Sequence, residues 1–260
     1  MHRRLDTMLA WCQAQYPYLS STKRTLHGGS MGAWCSLEWG IKRPEQFAAI
    51  FASRPRWRFG SDGKTVGISN RSTGASKQYL PADSPHVNGT DGNLYKYKNA
   101  IDYVADPANA IPFLVWCVGR QDGFMQFSDH IAAVAAMRAA GRPFAFAWNN
   151  GNHSGGDIML TTLASYTADM FEIGRGYPHL TNSSRDQDPA VDLVGGINVG
   201  FKWRNVVESA AAWSCELYNS QATTVTVKPH STVFSGAAPK IVALPAATWV
   251  TVTFFRRPIG

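Results

Sequence analysis

No stretch of this 260-residue chain approaches the roughly 20 uninterrupted apolar residues that a membrane-spanning helix needs, so no membrane span is expected. The N-terminus, MHRRLDTMLAWCQAQY, is basic and then amphipathic. It lacks the continuous apolar stretch and small-residue cleavage site of an export signal, and localisation stays open. Cysteine is sparse: Cys12, Cys35, Cys117 and Cys215 show no CxxC or zinc-ligand spacing, so no metal centre is expected. The first three sit in apolar-periodic segments, where a buried free thiol is the plain reading and a disulfide between two of them the alternative. Charged residues make up only 17% of the chain. The formal charge is +7, yet the basic residues are scattered apart from Arg54, Arg56 and Arg58. Nucleic-acid readers concentrate charge along one groove or helix, so nucleic acid is not an expected partner. Internal repeats and low-complexity tracts are also missing. What remains, at 45% hydrophobic residues, can bury one large core or two modest ones.

The periodicity changes along the chain. Leu5, Met8, Leu9 and Cys12 fall at i, i+3, i+4 and i+7, the stripe of an amphipathic helix. A strand, RTLH, follows, then a sharp turn, HGGSMG, then a helix, AWCSLEWGIKR, closed before Pro44. QFAAIFAS has the length of a buried strand. Residues 60–93 break the rhythm with Gly, Ser, Asn, Asp and Pro, as a lid or loop insertion would. It resumes with a helix in LYKYKNAIDYV, a strand in IPFLVWCVG, a helix in HIAAVAAMRAAG, a strand in PFAFAW and a helix in IMLTTLASYTADMF. Alternating helix and strand predicts a parallel sheet with helices on both faces. Beyond about residue 180, β-branched and period-2 runs (INVGFKW, AWSCELYN, TTVTVKP, KIVAL, TWVTVTFF) are separated only by turn residues. They predict a small all-β sandwich. The expected division is therefore residues 1–180 and 181–260.

Gly28-Gly29-Ser30-Met31-Gly32 fits G-x-S-x-G between a strand and a helix. A strand that reverses into a helix within a few residues strains the backbone of its central serine, and flanking glycines relieve the crowding. Such a serine is exposed at the sheet edge, and the Met31 N–H at the helix start points where an oxyanion would form. A serine hydroxyl is a poor nucleophile without a base, itself oriented by a carboxylate. Asp122 follows one strand in GRQDGF and His153 follows the next in NNGNHSGG. All three residues leave C-terminal strand ends on one edge, in the order Ser…Asp…His.

HGGSMGAW, VGRQDGF and NGNHS resemble the α/β-hydrolase superfamily, nearest to esterases of the feruloyl-esterase and polyhydroxyalkanoate-depolymerase kind, which share this half with prolyl-oligopeptidase-like domains. The resemblance covers roughly residues 4–175. It implies Ser30 as nucleophile, Asp122 as orienting acid, His153 as base and Met31 N–H as oxyanion donor, with no cofactor. It implies cleavage of carboxylic esters, aromatic or polymer-linked, through an acyl-enzyme. A serine peptidase of the prolyl-oligopeptidase type is the alternative, and so is a non-catalytic binding protein with a vestigial hydrolase half. Trp57, Phe124 and Trp34 are candidates for an acyl or aryl pocket and Arg54 for a substrate carboxylate, whereas Trp39 and Trp148 read as core. Asp129 reads as an exposed helix-face carboxylate. His27 reads as a local packing residue, His130, His86, His179 and His230 as surface residues, and Ser154 as a loop or capping residue.

The chain departs from the family at its beginning. A whole member brings several strands before its nucleophile strand, and here only about two dozen residues precede it. The resemblance then implies a fragment, a chain completed by another subunit, or an inactive descendant. The TLH strand is expected to present an open edge that favours self-association or a partner. Loss of the second oxyanion donor is expected to weaken activity by about 3 kcal/mol of transition-state stabilisation.

Overall fold

A computed structural model describes residues 2–58, 99–154, 161–231 and 233–256. The expected insertion at 60–93, His86 within it, and residues 155–160 lie outside the described residues. Helix α1 (His2–Gln15) leads to β1 (Thr25–Gly29), α2 (Met31–Gly40) and β2 (Ala49–Ser53). After the insertion come α3 (Ala100–Ala105), β3 (Phe113–Gly119), α4 (Phe127–Ala139) and β4 (Phe144–Asn149). Strands β1, β2, β3 and β4 are parallel neighbours in chain order, and β6 (Gly195–Ile197) adds to β4 antiparallel. The four parallel strands form the parallel sheet that the alternation of helix and strand predicted. Among the described residues β1 is its edge strand, as expected of TLH.

Each central strand divides its side chains between two cores by simple alternation. Ile50, Leu114, Trp116, Val118, Phe144, Phe146 and Trp148 face a cluster built with α2, α3 and α4. Ala49, Phe51, Phe113, Val115, Cys117, Ala145 and Ala147 face the other. Strands added one after another in a single direction, each by a right-handed crossover, put their helices on one face. In the described residues α2, α3 and α4 accordingly share a face, and the second face is covered by β structure and by residues 163–171. Helix α4 ends at Gly141, whose φ of +62° suits the left-handed position that closes a helix. The bond from Arg142 N–H to Met137 carbonyl at 2.7 Å completes that closure.

The expected helix in IMLTTLASYTADMF is corrected over its described part. Residues 162–167 are turns and breaks, followed by a 3₁₀ turn at Ala168–Met170. Thr161, Thr162, Ser165 and Thr167 are weak helix formers. Leu163, Tyr166 and Phe171 are all buried in the cluster beneath the sheet, so the segment is held by its packing and not by a helical ladder. Tyr166 donates its hydroxyl proton to the Asn198 carbonyl, pinning the segment across the core.

The β-rich part comprises two three-stranded antiparallel sheets. One is ordered β10 (Lys240–Leu244), β9 (Thr223–His230), β5 (Tyr177–Thr181). The other is ordered β11 (Val250–Phe255), β8 (Ala212–Asn219), β7 (Phe201–Glu208). Strand β8 has the strict in–out burial of a sandwich strand, with Trp213, Cys215 and Leu217 inside. The chain crosses between the sheets near residue 180: β5 joins the sandwich and β6 returns to the parallel sheet. Asn198, 2% exposed, ties them, donating to the Phe144 carbonyl of β4 at 2.9 Å and the Leu180 carbonyl of β5 at 3.0 Å.

Candidate active site

Strand β1 ends at Gly29 and α2 begins at Met31, leaving Ser30 alone to turn the chain. Its φ of 54° and ψ of −116° lie in a region that side-chain-bearing residues rarely occupy. Strain of this kind persists only where neighbours enforce it. The Ser30 N–H donates to the Ser53 carbonyl at the end of β2 at 2.8 Å, and the Ser30 carbonyl accepts from Trp34 N–H at 3.0 Å. A Cβ on Gly28 would lie 2.3 Å from the Gly32 carbonyl oxygen, so the first glycine of the motif is a steric necessity. A Cβ on Gly32 would meet nothing within 4 Å, so the last glycine of the motif relieves no crowding here, contrary to the sequence expectation.

Asp122 and His153 leave β3 and β4 on the same edge. The Asp122 carboxylate is held from below: Oδ1 accepts from the Phe124 N–H at 2.9 Å and the Met125 N–H at 3.0 Å. Its Oδ2 meets His153 Nδ1 at 2.7 Å, with the carboxylate side chain fully enclosed and the imidazole 22% exposed. On the other side of the ring, His153 Nε2 stands 2.8 Å from Ser30 Oγ. The structure thus brings the three side chains into one hydrogen-bonded line, from carboxylate to imidazole to hydroxyl. With Nδ1–H turned to the carboxylate, Nε2 is left with a lone pair aimed at the serine proton.

The loop bearing His153 is fixed to the strand ends. Arg120 N–H donates to the Asn149 carbonyl at 2.8 Å and Gln121 N–H to the Gly151 carbonyl at 3.0 Å. Here Gly119 is required, since a Cβ would lie 2.2 Å from the Gly151 carbonyl oxygen. Arg54 completes the support. Its Nη1 donates to the His153 carbonyl at 2.7 Å and its Nε to Ser53 Oγ at 3.3 Å. Its own backbone sits at φ 60°. The sequence expectation gave Arg54 to a substrate carboxylate; the structure directs it to the histidine loop. A run of arginines says nothing of such a carbonyl contact, so this role carried no sequence signal.

Other expected site residues divide clearly. Phe124 is 60% exposed and its ring lies edge-on to His153 at 5.0 Å, so it stands beside the imidazole. Met31 opens α2, so its N–H is among the helix's leading, unladdered donors, and its side chain is exposed. Trp34 lies half-buried on the first turn of α2. Trp57 is corrected from pocket to core: it is 1% exposed, edge-on to Trp116 at 5.3 Å, and its indole N–H donates to His130 Nδ1 at 3.2 Å. The indole packs in the cluster beneath α4 and, being buried, keeps its N–H bonded to His130. His130 and Asp129 are corrected likewise, from surface to buried positions on α4, and His179 from surface to buried on β5. Trp39 and Trp148 are core, as expected. His27 stacks on Phe51 at 4.5 Å and meets Thr25 Oγ1 at 3.0 Å, which is local packing. Ser154 takes part in a loop bond, its N–H donating to Asn152 Oδ1 at 3.0 Å. All four cysteines are free thiols, with Cys117 and Cys215 buried and Cys12 and Cys35 partly exposed. Among the described residues no group of three or more His, Cys, Asp or Glu side chains could hold a metal ion. No described helix is long and apolar enough to cross a membrane.

No family model and no curated protein matches the sequence. Solved structures with a similar fold include FphF, a fluorophosphonate-binding serine hydrolase of Staphylococcus aureus, at 18% identity and a TM-score of 0.43. They also include dipeptidyl peptidase 4 of Porphyromonas gingivalis at 19% and 0.41, and a ferulic acid esterase at 21% and 0.39. The matched regions cover 59%, 63% and 56% of this chain. They span 56%, 22% and 52% of those proteins, about half or less of each.

Proposed function

We propose that the chain is a serine hydrolase that cleaves carboxylic esters through an acyl-enzyme. The observation that carries this reading is the line from Asp122 Oδ2 through His153 to Ser30 Oγ, with spans of 2.7 and 2.8 Å. Ser30 Oγ attacks the ester carbonyl carbon as His153 Nε2 takes its proton, and Asp122 stabilises the imidazolium that forms. The tetrahedral oxyanion lies toward the Met31 N–H. Collapse breaks the ester C–O bond, and the departing alcohol takes the proton from His153. Water, deprotonated by the same Nε2, then attacks the acyl carbon and releases the carboxylic acid and free Ser30. Phe124, exposed against the imidazole, gives the alcohol or acyl group an aromatic surface, which suits aromatic or polymer-linked esters. No cofactor enters this chemistry.

Labelling by a fluorophosphonate, located by mass spectrometry, tests the reading together with paired p-nitrophenyl ester and p-nitroanilide substrates. Labelling at Ser30 with ester turnover supports it, and preferred anilide turnover would move the assignment to a peptidase. Folded protein that neither labels nor turns over would make this a binding protein. The reading also includes association through β1, whose outer edge has strand N–H and C=O groups without a strand neighbour among the described residues. Sedimentation of the isolated chain as a monodisperse monomer would remove that part.

A further inference from the structure

The chain between β5 and β6 ends in a loop, residues 188–194, that is fastened to the same edge of the parallel sheet as Ser30. Gly195, which closes the loop, pairs with Trp148 near the C-terminal end of β4, the strand that leads to His153. Arg120 directly follows β3 in the turn that bears Asp122. Its Nη1 donates to the Pro189 carbonyl at 2.9 Å and to the Asp192 carbonyl at 2.6 Å. The Trp148 indole N–H donates to the same Asp192 carbonyl at 2.8 Å. The Arg120 guanidinium lies over the Phe127 ring, 4.8 Å from its centre, which helps to fix its direction. A Cβ on Gly195 would lie 2.6 Å from Trp148 Cζ2, so glycine is what lets the loop close on the indole.

The loop also satisfies polar groups on itself. Asp188 Oδ1 accepts from Ala190 N–H at 2.8 Å and Asp192 Oδ2 from Asp188 N–H at 2.8 Å. The Asp188 carbonyl accepts from Val191 N–H at 3.1 Å and Asp192 N–H at 2.8 Å. Its apolar side chains are left outside: Val191, Leu193 and Val194 are 72%, 60% and 61% exposed. A single exposed apolar residue needs no account, but three on one firmly held loop beside a candidate active site do. Along the strand order Ser30 stands at β1, Asp122 and Phe124 follow β3, and the loop stands at β4 and β6. Strands about 4.8 Å apart put β4 roughly 14 Å from β1, with the His153 imidazole and Phe124 on the way. The chemistry gives this direction a meaning. His153 Nε2 hands its proton to the departing alcohol oxygen, so the alcohol lies on the His153 side of Ser30. The acyl chain leaves the carbonyl carbon along a different bond and does not share that path.

We infer that the 188–194 loop is the specificity element for the alcohol side of the ester, and that Val191, Leu193 and Val194 receive a long apolar alcohol chain that has passed over Phe124. The inference rests on the hydrolase reading and names a substrate class for it. Decyl butanoate and butyl decanoate test it, because these isomers differ only in which side of the ester carries the long chain. The full chain is assayed on both, and on butyl butanoate as the short reference. The alcohol departs when the acyl-enzyme forms, so its contacts appear in kcat/KM. Decyl butanoate is expected to exceed butyl decanoate at least about tenfold in kcat/KM, since each methylene half-removed from water contributes about twofold. Replacing all three loop residues (Val191→Ser, Leu193→Ser and Val194→Ser) is expected to lower that ratio to about threefold or less and to leave butyl butanoate turnover unchanged. The three side chains are exposed, so the variant should fold. Equal rates on the two isomers, a preference for butyl decanoate, or a ratio unmoved in the folded variant would overturn the inference and leave the hydrolase reading standing. Absence of both butyl butanoate turnover and Ser30 labelling would remove the hydrolase reading, and this inference with it.

Discussion

His153 and His130 are the same residue type in opposite surroundings. His153 hangs from a loop at the C-terminal edge of the sheet, with a carboxylate on Nδ1 and a hydroxyl on Nε2. His130 sits on α4 at 1% exposure, stacked on Phe146 and accepting the Trp57 indole proton at Nδ1. Desolvation pushes the His130 pKa down to about 3, so this ring stays neutral and serves as packing. Under the proposed function, the histidine at the sheet edge becomes a base through its anion. Without Asp122 the imidazole at the edge would have neither a fixed tautomer nor a counter-charge for its proton.

The largest test of this contrast removes the edge hydroxyl. Ser30→Ala is expected to abolish fluorophosphonate labelling and to lower ester turnover by about 10⁴-fold or more, with the melting temperature little changed. Removing only the anion comes next. Asp122→Asn is expected to lower kcat by about 10³–10⁴-fold, since the amide supplies no charge and favours the wrong tautomer. An Asp122→Asn variant with wild-type turnover would break the distinction drawn between the two imidazoles.

Much of this contrast was readable before the structure, and the reason it was readable is local. GGSMG, VGRQDGF and NGNHS each sit directly after an apolar run, so the strand itself carries Ser30, Asp122 and His153 to one edge. The partition of β3 into alternate faces follows from a period of two. Trp57, His130 and Asp129 were misjudged because their environment is made by segments distant in sequence. The Trp57–His130 bond joins positions 73 residues apart, and no local pattern encodes it. Strand β5 escaped for a related reason: YPHLT contains a proline opposite another proline, Pro178 against Pro229, and gains its strand form from β9. The crossing of β5 and β6 between the sheets likewise depends on Asn198, a single buried amide in a run that otherwise reads as turn.

On the core side of the comparison, Trp57→Ala is expected to destabilise the fold by about 3–5 kcal/mol, because it leaves a cavity and an unpaired His130 Nδ1. Chemical denaturation measures the loss, and labelling of Ser30 in the molecules that remain folded should be unchanged. A stable Trp57→Ala protein with altered ester specificity would return Trp57 to the substrate pocket.

Acid separates the two kinds of histidine further. His130, His179 and His230 have folded pKa values lowered to about 3, 4 and 4 by burial, against 6.5 when exposed. The unfolded chain therefore binds more protons below pH 6.5, and stability rises with pH across this window. Their contribution is fully present above 6.5 and is lost as pH falls toward 4. By pH 5.5 each costs about 1 kcal/mol of stability. Denaturation midpoints at pH 7.5 and 5.5 measure it, and His130→Phe should flatten the slope by about one third.

The smallest effect concerns Arg54, where contact with substrate and support of the base predict different kinetics. If the Nη1 bond to the His153 carbonyl keeps the imidazole in line, its loss loosens the base equally with and without substrate. Arg54→Ala should then lower kcat about tenfold and leave KM nearly constant, because a charge-assisted bond to one carbonyl contributes about 1.5–3 kcal/mol. Alanine also inherits the unfavourable φ of 60°, so Arg54→Gly separates strain from the lost bond. Glycine relieves the backbone and should regain stability without regaining kcat. Lysine keeps the charge but lacks the planar fork that reaches both the His153 carbonyl and Ser53 Oγ, so Arg54→Lys should restore only part of the rate. A rise in KM confined to anionic esters, with kcat intact, would show instead that the guanidinium meets a substrate carboxylate.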